Sequence, residues 1–282
     1  MSLIRQKIKF DKKLLDQDAL KVLKILTKSG YESYLVGGCI RDLLLGYKPK
    51  DFDIATNATP EQIHKLFKWS RIIGRRFKLV HIMFSARKFI EVATFRAGNV
   101  KTSSDGLVLR DNYYGTLKDD VFRRDFTING LYYDINKSEV IDYVGGLKDL
   151  EILKINMIGN PSERFEEDPV RMIRAVRFQA KLNAKIEPKL IEAIQKNCQL
   201  LAKIPPARLY EEVIKLFHNE NSIVVFRELF KLGLLKHLFS QTEENPFVNA
   251  SLFNTSERIK NCLLYTSPSP RDAHESRMPS SA

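Results

Sequence analysis

The stretch Leu35-Val36-Gly37-Gly38-Cys39-Ile40-Arg41-Asp42, followed by Leu43-Leu44-Leu45-Gly46 and then Asp51-Phe52-Asp53, constrains this chain more than any other part of it. An apolar run ends in two glycines, a pattern that predicts a strand, a tight turn and a short helix opening near Arg41 and stopping at Gly46. Asp51 and Asp53 head the next predicted strand, and residues at i and i+2 of a strand point to one face. Two oxygen ligands on one face suit Mg²⁺, which takes one or two carboxylates and fills its shell with water and substrate phosphate. Gly37 and Gly38 let backbone N–H groups approach a phosphate, and the helix start adds a positive dipole end. The combination implies a bound nucleoside triphosphate and a metal-assisted displacement at its α-phosphate.

Composition narrows the partners. With 282 residues, 44% of them hydrophobic, the chain can bury a real core and accommodate about two domains. No apolar run approaches the ~20 residues that span a bilayer, and Met1 to Lys13 has neither the apolar region nor the cleavage site of a secretion signal. Cys39, Cys198 and Cys262 are scattered, with neither zinc spacing nor a disulfide framework, which points to a reducing, cytoplasmic location. His64, His81, His218 and His237 are isolated and read as structural or surface residues. A formal charge of +12 favours a polyanionic partner, because each neutralised phosphate releases counterions.

The periodicity divides the chain. Residues Lys12 to Ser29 predict an amphipathic helix on Leu15, Ala19, Val22 and Leu26, stopped by Gly30. Tyr34 to Val36 reads as the first strand, Thr59-Pro60-Glu61 as a helix start, and Lys78 to Phe84 with Lys88 to Phe95 as a hairpin. Residues 98–120 read as a mobile polar loop. Leu131 to Ile135 and Val140 to Val144 are predicted strands, and Gly145-Gly146 a flexible joint. Beyond about residue 147, Glu166 to Lys181, Pro188 to Lys203, Pro206 to Phe217 and Ser222 to Leu232 carry helical spacing. The expected class is α+β: a helix within 1–30, a mixed-sheet head over 31–147, and an all-helical portion over 148–263. From Leu264 the composition breaks. Residues 264–282 are expected to be disordered and, resembling a translated adapter, non-native, with the natural chain continuing past about residue 263.

Three further strings carry chemistry. Glu91 lies in Phe89-Ile90-Glu91-Val92-Ala93-Thr94-Phe95, where a carboxylate among apolar residues needs a reason to stay. Arg123-Arg124-Asp125-Phe126-Thr127-Ile128-Asn129 offers arginines for a triphosphate and an acid for a ribose hydroxyl or a metal. In Glu167-Asp168-Pro169-Val170-Arg171-Met172-Ile173-Arg174-Ala175-Val176-Arg177-Phe178, the residues Asp168, Arg171, Arg174 and Arg177 recur every third position, forming a ridge if the segment is one helix. Asp168 can then accept from an exocyclic amine while Arg171 donates to the adjacent ring nitrogen. Adenine and cytosine present that pair, and guanine and uracil present the reverse.

Together these strings resemble the polymerase-β-like nucleotidyltransferases, in the branch holding bacterial poly(A) polymerases and the tRNA nucleotidyltransferases that add CCA. The resemblance covers roughly residues 10–260. It implies a nucleotidyltransferase head, a helical neck and an RNA-binding body. It also implies Asp51 and Asp53 as ligands of two Mg²⁺ ions, with Glu91 and Asp125 as further catalytic acids. Gly37, Gly38, Arg41, Asp42, Arg124 and Asn129 would bind substrate, with Asp168 and Arg171 reading the base and Arg174 and Arg177 behind the phosphates. ATP would be the substrate and RNA 3′ ends the partner. Ile73-Gly74-Arg75-Arg76-Phe77-Lys78-Leu79-Val80-His81, Leu109-Arg110-Asp111-Asn112-Tyr113-Tyr114-Gly115 and Pro169 look like the poly(A) polymerase subgroup. A CCA-adding enzyme and a catalytically inactive RNA-binding protein are the alternatives.

Overall fold

The computed structural model describes residues 3–74, 78–97, 101–102, 108–110, 114–217 and 221–238, so the expected tail at 264–282 lies outside them. The chain divides into two compact units, residues 1–159 and 160–282.

The first unit runs β1 (Ile4–Lys7), α1 (Gln17–Lys28), β2 (Ser33–Val36), α2 (Gly38–Leu44), β3 (Asp53–Thr56), α3 (Pro60–Leu66), β4 (Ser70–Ile73), β5 (Leu79–Ser85), β6 (Lys88–Thr94), β7 (Lys101–Thr102), β8 (Val108–Arg110), α4 (Leu117–Arg123), a 3₁₀ turn (Thr127–Asn129), β9 (Tyr132–Asp134), β10 (Glu139–Asp142), α5 (Gly146–Glu151) and β11 (Lys154–Ile155). Eight strands form one mixed sheet in the order β1-β10-β9-β2-β3-β6-β5-β4. β3 and β6 run parallel, and the neighbouring pairs β2–β3 and β5–β6 are antiparallel.

Local chemistry sets these bounds. Asp16 Oδ1 accepts from the N–H groups of Asp18 and Ala19 at 2.8 and 3.1 Å, so α1 opens at Gln17 rather than Lys12. It buries Ala19, Val22, Leu23 and Leu26. α3 opens with the capping box of Thr59 and Gln62, with Pro60 in its first turn. The β5–β6 hairpin buries Val80, Ile82, Ile90 and Val92 on one face and leaves His81, Met83, Phe89 and Glu91 on the other.

Further expectations differ from the structure. The segment 1–30 carries β1 as well as a helix. This strand pairs antiparallel with β10 at the sheet edge, and all four of its residues are exposed, so no apolar alternation announces it. Of the stretch 98–120, residues 98–100, 103–107 and 111–113 lie outside the described residues, and at its end a capping box of Thr116 and Asp119 starts α4. Gly145-Gly146 is a packed turn rather than a joint. Gly145 takes φ +79 as the cap of α5, and a Cβ on Gly146 would stand 2.1 Å from the Thr127 carbonyl oxygen. Asp142 locks this turn by accepting from the N–H groups of Val144, Gly145 and Leu147. The first compact unit runs on past this turn, to Gly159.

The second unit contains α6 (Pro161–Glu167), α7 (Val170–Leu182), β12 (Lys185–Ile186), α8 (Pro188–Asn197), a 3₁₀ stretch (Cys198–Lys203), α9 (Pro206–Phe217), α10 (Ser222–Lys231) and α11 (Leu235–Leu238). The helix expected over Glu166 to Lys181 is two helices. Asp168 is extended at φ −153, as the residue before a proline prefers, and α7 starts after Pro169. Ile173, Val176 and Ala180 form part of the buried stripe of α7, as their spacing predicts. Among the described residues no helix is long and apolar enough to cross a membrane.

Candidate active site

The carboxylates stand where β3 begins. Phe52 is buried, and Asp51 and Asp53 on either side of it are exposed, as the i, i+2 spacing predicts. Asp53 lies in register with Glu91 of parallel β6, and Glu91 with His81 of antiparallel β5. Directly opposed residues share a sheet face, so Asp53, Glu91 and His81 form one cross-strand row. His81 Nε2 lies 3.3 Å from Glu91 Oε2, and the imidazole stacks on Phe89 with centroids 4.1 Å apart and planes 10° apart. His81 thus has a place beside the acids that its isolation in sequence did not signal; the cross-strand register was the missing information.

Protein crowding around Asp53, although its tip meets water, pushes its carboxyl up from 3.8 to about 6. The negative charges of Glu91 and Asp51 add to this rise, and Arg124 opposes it. Among the described residues no group of three or more His, Cys, Asp or Glu side chains is arranged to hold a metal alone. Two carboxylates at i and i+2 could hold an ion that draws the rest of its shell from water and phosphate, as Mg²⁺ does.

Above the strands sits the glycine turn. Gly37 adopts φ 72 and ψ −130, a conformation that L side chains avoid, and α2 starts at Gly38. A Cβ on Gly37 would meet Arg124 Nη1 at 3.0 Å, so the guanidinium lies directly against the turn. Arg124 Nε donates to the Tyr132 hydroxyl at 2.8 Å and Nη2 to Asp120 at 3.3 Å, while the Tyr132 hydroxyl donates to Asp120. Burial alone would lower the Arg124 pKa; Tyr132 and Asp120 outweigh it and hold the guanidinium charged. Asp120 and Tyr132, absent from the sequence motifs, are the missed members of this site.

Arg41 is 3% exposed. Its Nε and Nη2 donate to Asp42 Oδ1 at 2.9 and 2.6 Å, and Nη1 donates to Asn129 Oδ1 at 2.7 Å. Asn129 Nδ2 donates to Asp125 Oδ1 at 3.1 Å, which also accepts from the Phe126 N–H at 2.7 Å. The structure therefore brings Asp42, Arg41, Asn129 and Asp125 into one chain of hydrogen bonds, with this oxygen of Asp125 engaged by protein rather than ribose. Cys39 is buried beside Asp53, and burial pushes its thiol up to about 12, which leaves it unreactive.

The predicted base-reading residues belong to the second unit. Asp168 precedes α7, so it does not share a helix with Arg171. Its Oδ1 accepts from the Val170 N–H at 3.2 Å, and its Oδ2 accepts from Arg208 of α9 at 2.5 Å. Arg171 Nη1 turns back to the Arg164 carbonyl at 2.7 Å and Glu167 at 2.9 Å. Arg174 and Arg177 lie over Phe178, 5.6 and 4.8 Å from its ring centroid, and Arg177 faces Glu212 at 3.8 Å.

Residues 33–156 match the poly A polymerase head domain, and residues 183–245 match the probable RNA and SrmB-binding site of polymerase A. Poly(A) polymerase I of Salmonella typhi is 48% identical over 276 residues, covering 91% of this chain and 59% of that protein. A CCA-adding enzyme of Bacillus pumilus is 39% identical, covering 78% and 54%. The crystal structure of the Bacillus stearothermophilus CCA-adding enzyme in complex with CTP superposes with a TM-score of 0.68 at 29% identity, covering 89% of this chain and 70% of that one. The matches and the fold thus give an α+β head of the poly A polymerase type, followed in the chain by a helical unit. The chain belongs to the family of poly(A) polymerases and tRNA nucleotidyltransferases, and it spans 59% of the length of the poly(A) polymerase I relative.

Proposed function

We propose that the protein is a template-independent polynucleotide adenylyltransferase. It joins the 3′-oxygen of an RNA end to the α-phosphorus of ATP, breaks the α–β anhydride bond and releases pyrophosphate, with the hydroxyl proton passing to solvent. The observation that carries this reading is the Asp51–Asp53 pair at the head of β3, in register with Glu91, on the strand next to one that ends in the Gly37-Gly38 turn. The higher identity to a poly(A) polymerase I than to a CCA-adding enzyme favours ATP alone as substrate. The scattered cysteines support a cytoplasmic location.

Asp51 and Asp53 would hold Mg²⁺, which when bound neutralises the triphosphate and eases loss of the 3′-hydroxyl proton. Glu91, steadied by His81, adds negative charge that raises the site's demand for cations. The turn at Gly37 and Gly38 presents backbone N–H groups to phosphate, with Arg124 held against it by Tyr132 and Asp120. Asp125 acts through Asn129 to orient Arg41, so it is a positioning residue. Asp168 and Arg171 would read the Watson–Crick edge once Asp168 exchanges Arg208 for the base amine, and Arg174 and Arg177 would bind phosphate.

The test is incubation with an RNA primer and Mg²⁺, offering each NTP separately. Repeated addition of A alone is expected. Addition of two C residues and then A to a tRNA lacking its end would establish the CCA-adding reading. RNA binding without turnover of any nucleotide would establish an inactive binding protein.

A further inference from the structure

The sheet face that carries the carboxylates continues past them. Register extends the row Asp53, Glu91 and His81 to Arg71 on the edge strand β4. Arg71 therefore shares their face three strands away, about 15 Å at ordinary strand spacing. A second row lies beside it. Phe89 pairs with Met83, whose N–H donates to the Trp69 carbonyl at 2.8 Å. Trp69, two residues before Arg71, points to the same side.

This face is open. Trp69 is 80% exposed and Phe89 42%. The indole borders a surface cavity of about 660 Å³, lined also by Lys68, Arg71, Met83 and Phe84, with two cations and, among the described residues, no acid in the lining. The platform is nonetheless fixed. The buried Ser70 hydroxyl donates to the Phe67 carbonyl at 2.7 Å and meets His64 Nδ1 at 2.8 Å, which anchors the turn displaying Trp69. An exposed indole on an anchored turn, between Lys68 and Arg71, matches one ligand chemistry above others: a stacked base with phosphates on either side.

We propose that this face binds the single-stranded segment behind the RNA 3′ end, with Trp69 stacking on a base and Lys68 and Arg71 holding flanking phosphates. The inference rests on the adenylyltransferase reading for the direction of the RNA. It adds a contact in the head, outside residues 183–245 that match the RNA-binding model.

Trp69 is the single tryptophan of the chain, so its emission reports this surface alone. Titrating the whole protein with an oligo(A) of about 15 nucleotides should quench it saturably, whereas inorganic polyphosphate should not. By anisotropy of labelled oligo(A), Trp69→Ala should raise Kd about tenfold and Trp69→Phe, which keeps a ring, by less. Wild-type affinity in Trp69→Ala overturns the proposal. So does equal quenching by polyphosphate, or emission that follows protein concentration instead of RNA, which assigns the patch to a second copy. AMP incorporation by the unaltered chain is measured alongside. Quenching without incorporation leaves the surface standing and removes the adenylyltransferase reading, and incorporation without quenching does the reverse.

Discussion

Single residues set the conditions under which this site works. The Asp53 carboxyl is raised from 3.8 to about 6. Between those values the folded chain keeps a proton that the unfolded chain has lost, so this group favours the fold at low pH and costs stability as pH rises through about 6. Cation binding needs the ionised form. Incorporation should therefore fall as pH drops through about 6, and the limb should move to lower pH as Mg²⁺ is raised. A pH–rate profile at two Mg²⁺ concentrations checks this, and a limb that ignores Mg²⁺ would remove Asp53 from the metal. Asp53→Asn should abolish incorporation outright. The Tyr132 hydroxyl binds the charged Arg124, and losing a hydrogen bond to a charged group costs about 1.5–3 kcal/mol. Tyr132→Phe should therefore raise the KM for ATP about tenfold or more, with kcat less affected, and steady-state kinetics will show the split. The aspartates were legible in sequence because spacing alone puts them on one face. The Asp120–Arg124 pair is an i,i+4 spacing that the sequence offers, but the grip of Tyr132 on Arg124 was not legible, because it depends on a fold-back from α4 to β9 that no local pattern encodes.

At the scale of elements, two junctions carry the argument. Gly146 lies so close to the Thr127 carbonyl that any side chain must move α5. Gly146→Ala should lower Tm by about 5 °C, since overpacking costs about 1–3 kcal/mol, and calorimetry measures it. A joint of the kind its sequence suggested would tolerate the change. The second junction is the break at Asp168-Pro169. A helix unbroken through it would put Asp168 and Arg171 on one ridge, whereas the structure pairs Asp168 with Arg208, forty residues on. Asp168→Ala should cut discrimination for ATP against UTP and GTP about tenfold to a hundredfold, with the loss falling on ATP. Competition assays with paired nucleotides decide it, and equal slowing of all four would make Asp168 a structural support. Proline's influence on its predecessor was available in the sequence; the 3.6-residue rhythm on either side concealed it.

For the whole molecule, the charge of +12 predicts that log Kd for RNA rises steeply with log[salt], as several phosphate contacts require. A titration across salt concentrations gives the slope, and a flat line would assign the charge elsewhere. Overall class was legible because strand-like and helix-like spacing occupy different stretches of the chain. The edge strands were not, since β1 has no buried residue and β4 only Ser70. Edge β1 has a consequence for how the head is made. Ile4 pairs with Asp142, so β1 is paired only after residues 139–142 have followed it from the ribosome. Strands β2 to β6, which carry the acids, close through hairpins and one crossover within residues 33–94 and can assemble first. Until β10 emerges, β1 waits with its hydrogen-bonding groups unmatched, and β10 in turn offers a bare edge until β1 docks. A nascent head is thus most open to mispairing at the edge farthest from β4, late in synthesis, when the carboxylate row is already in place.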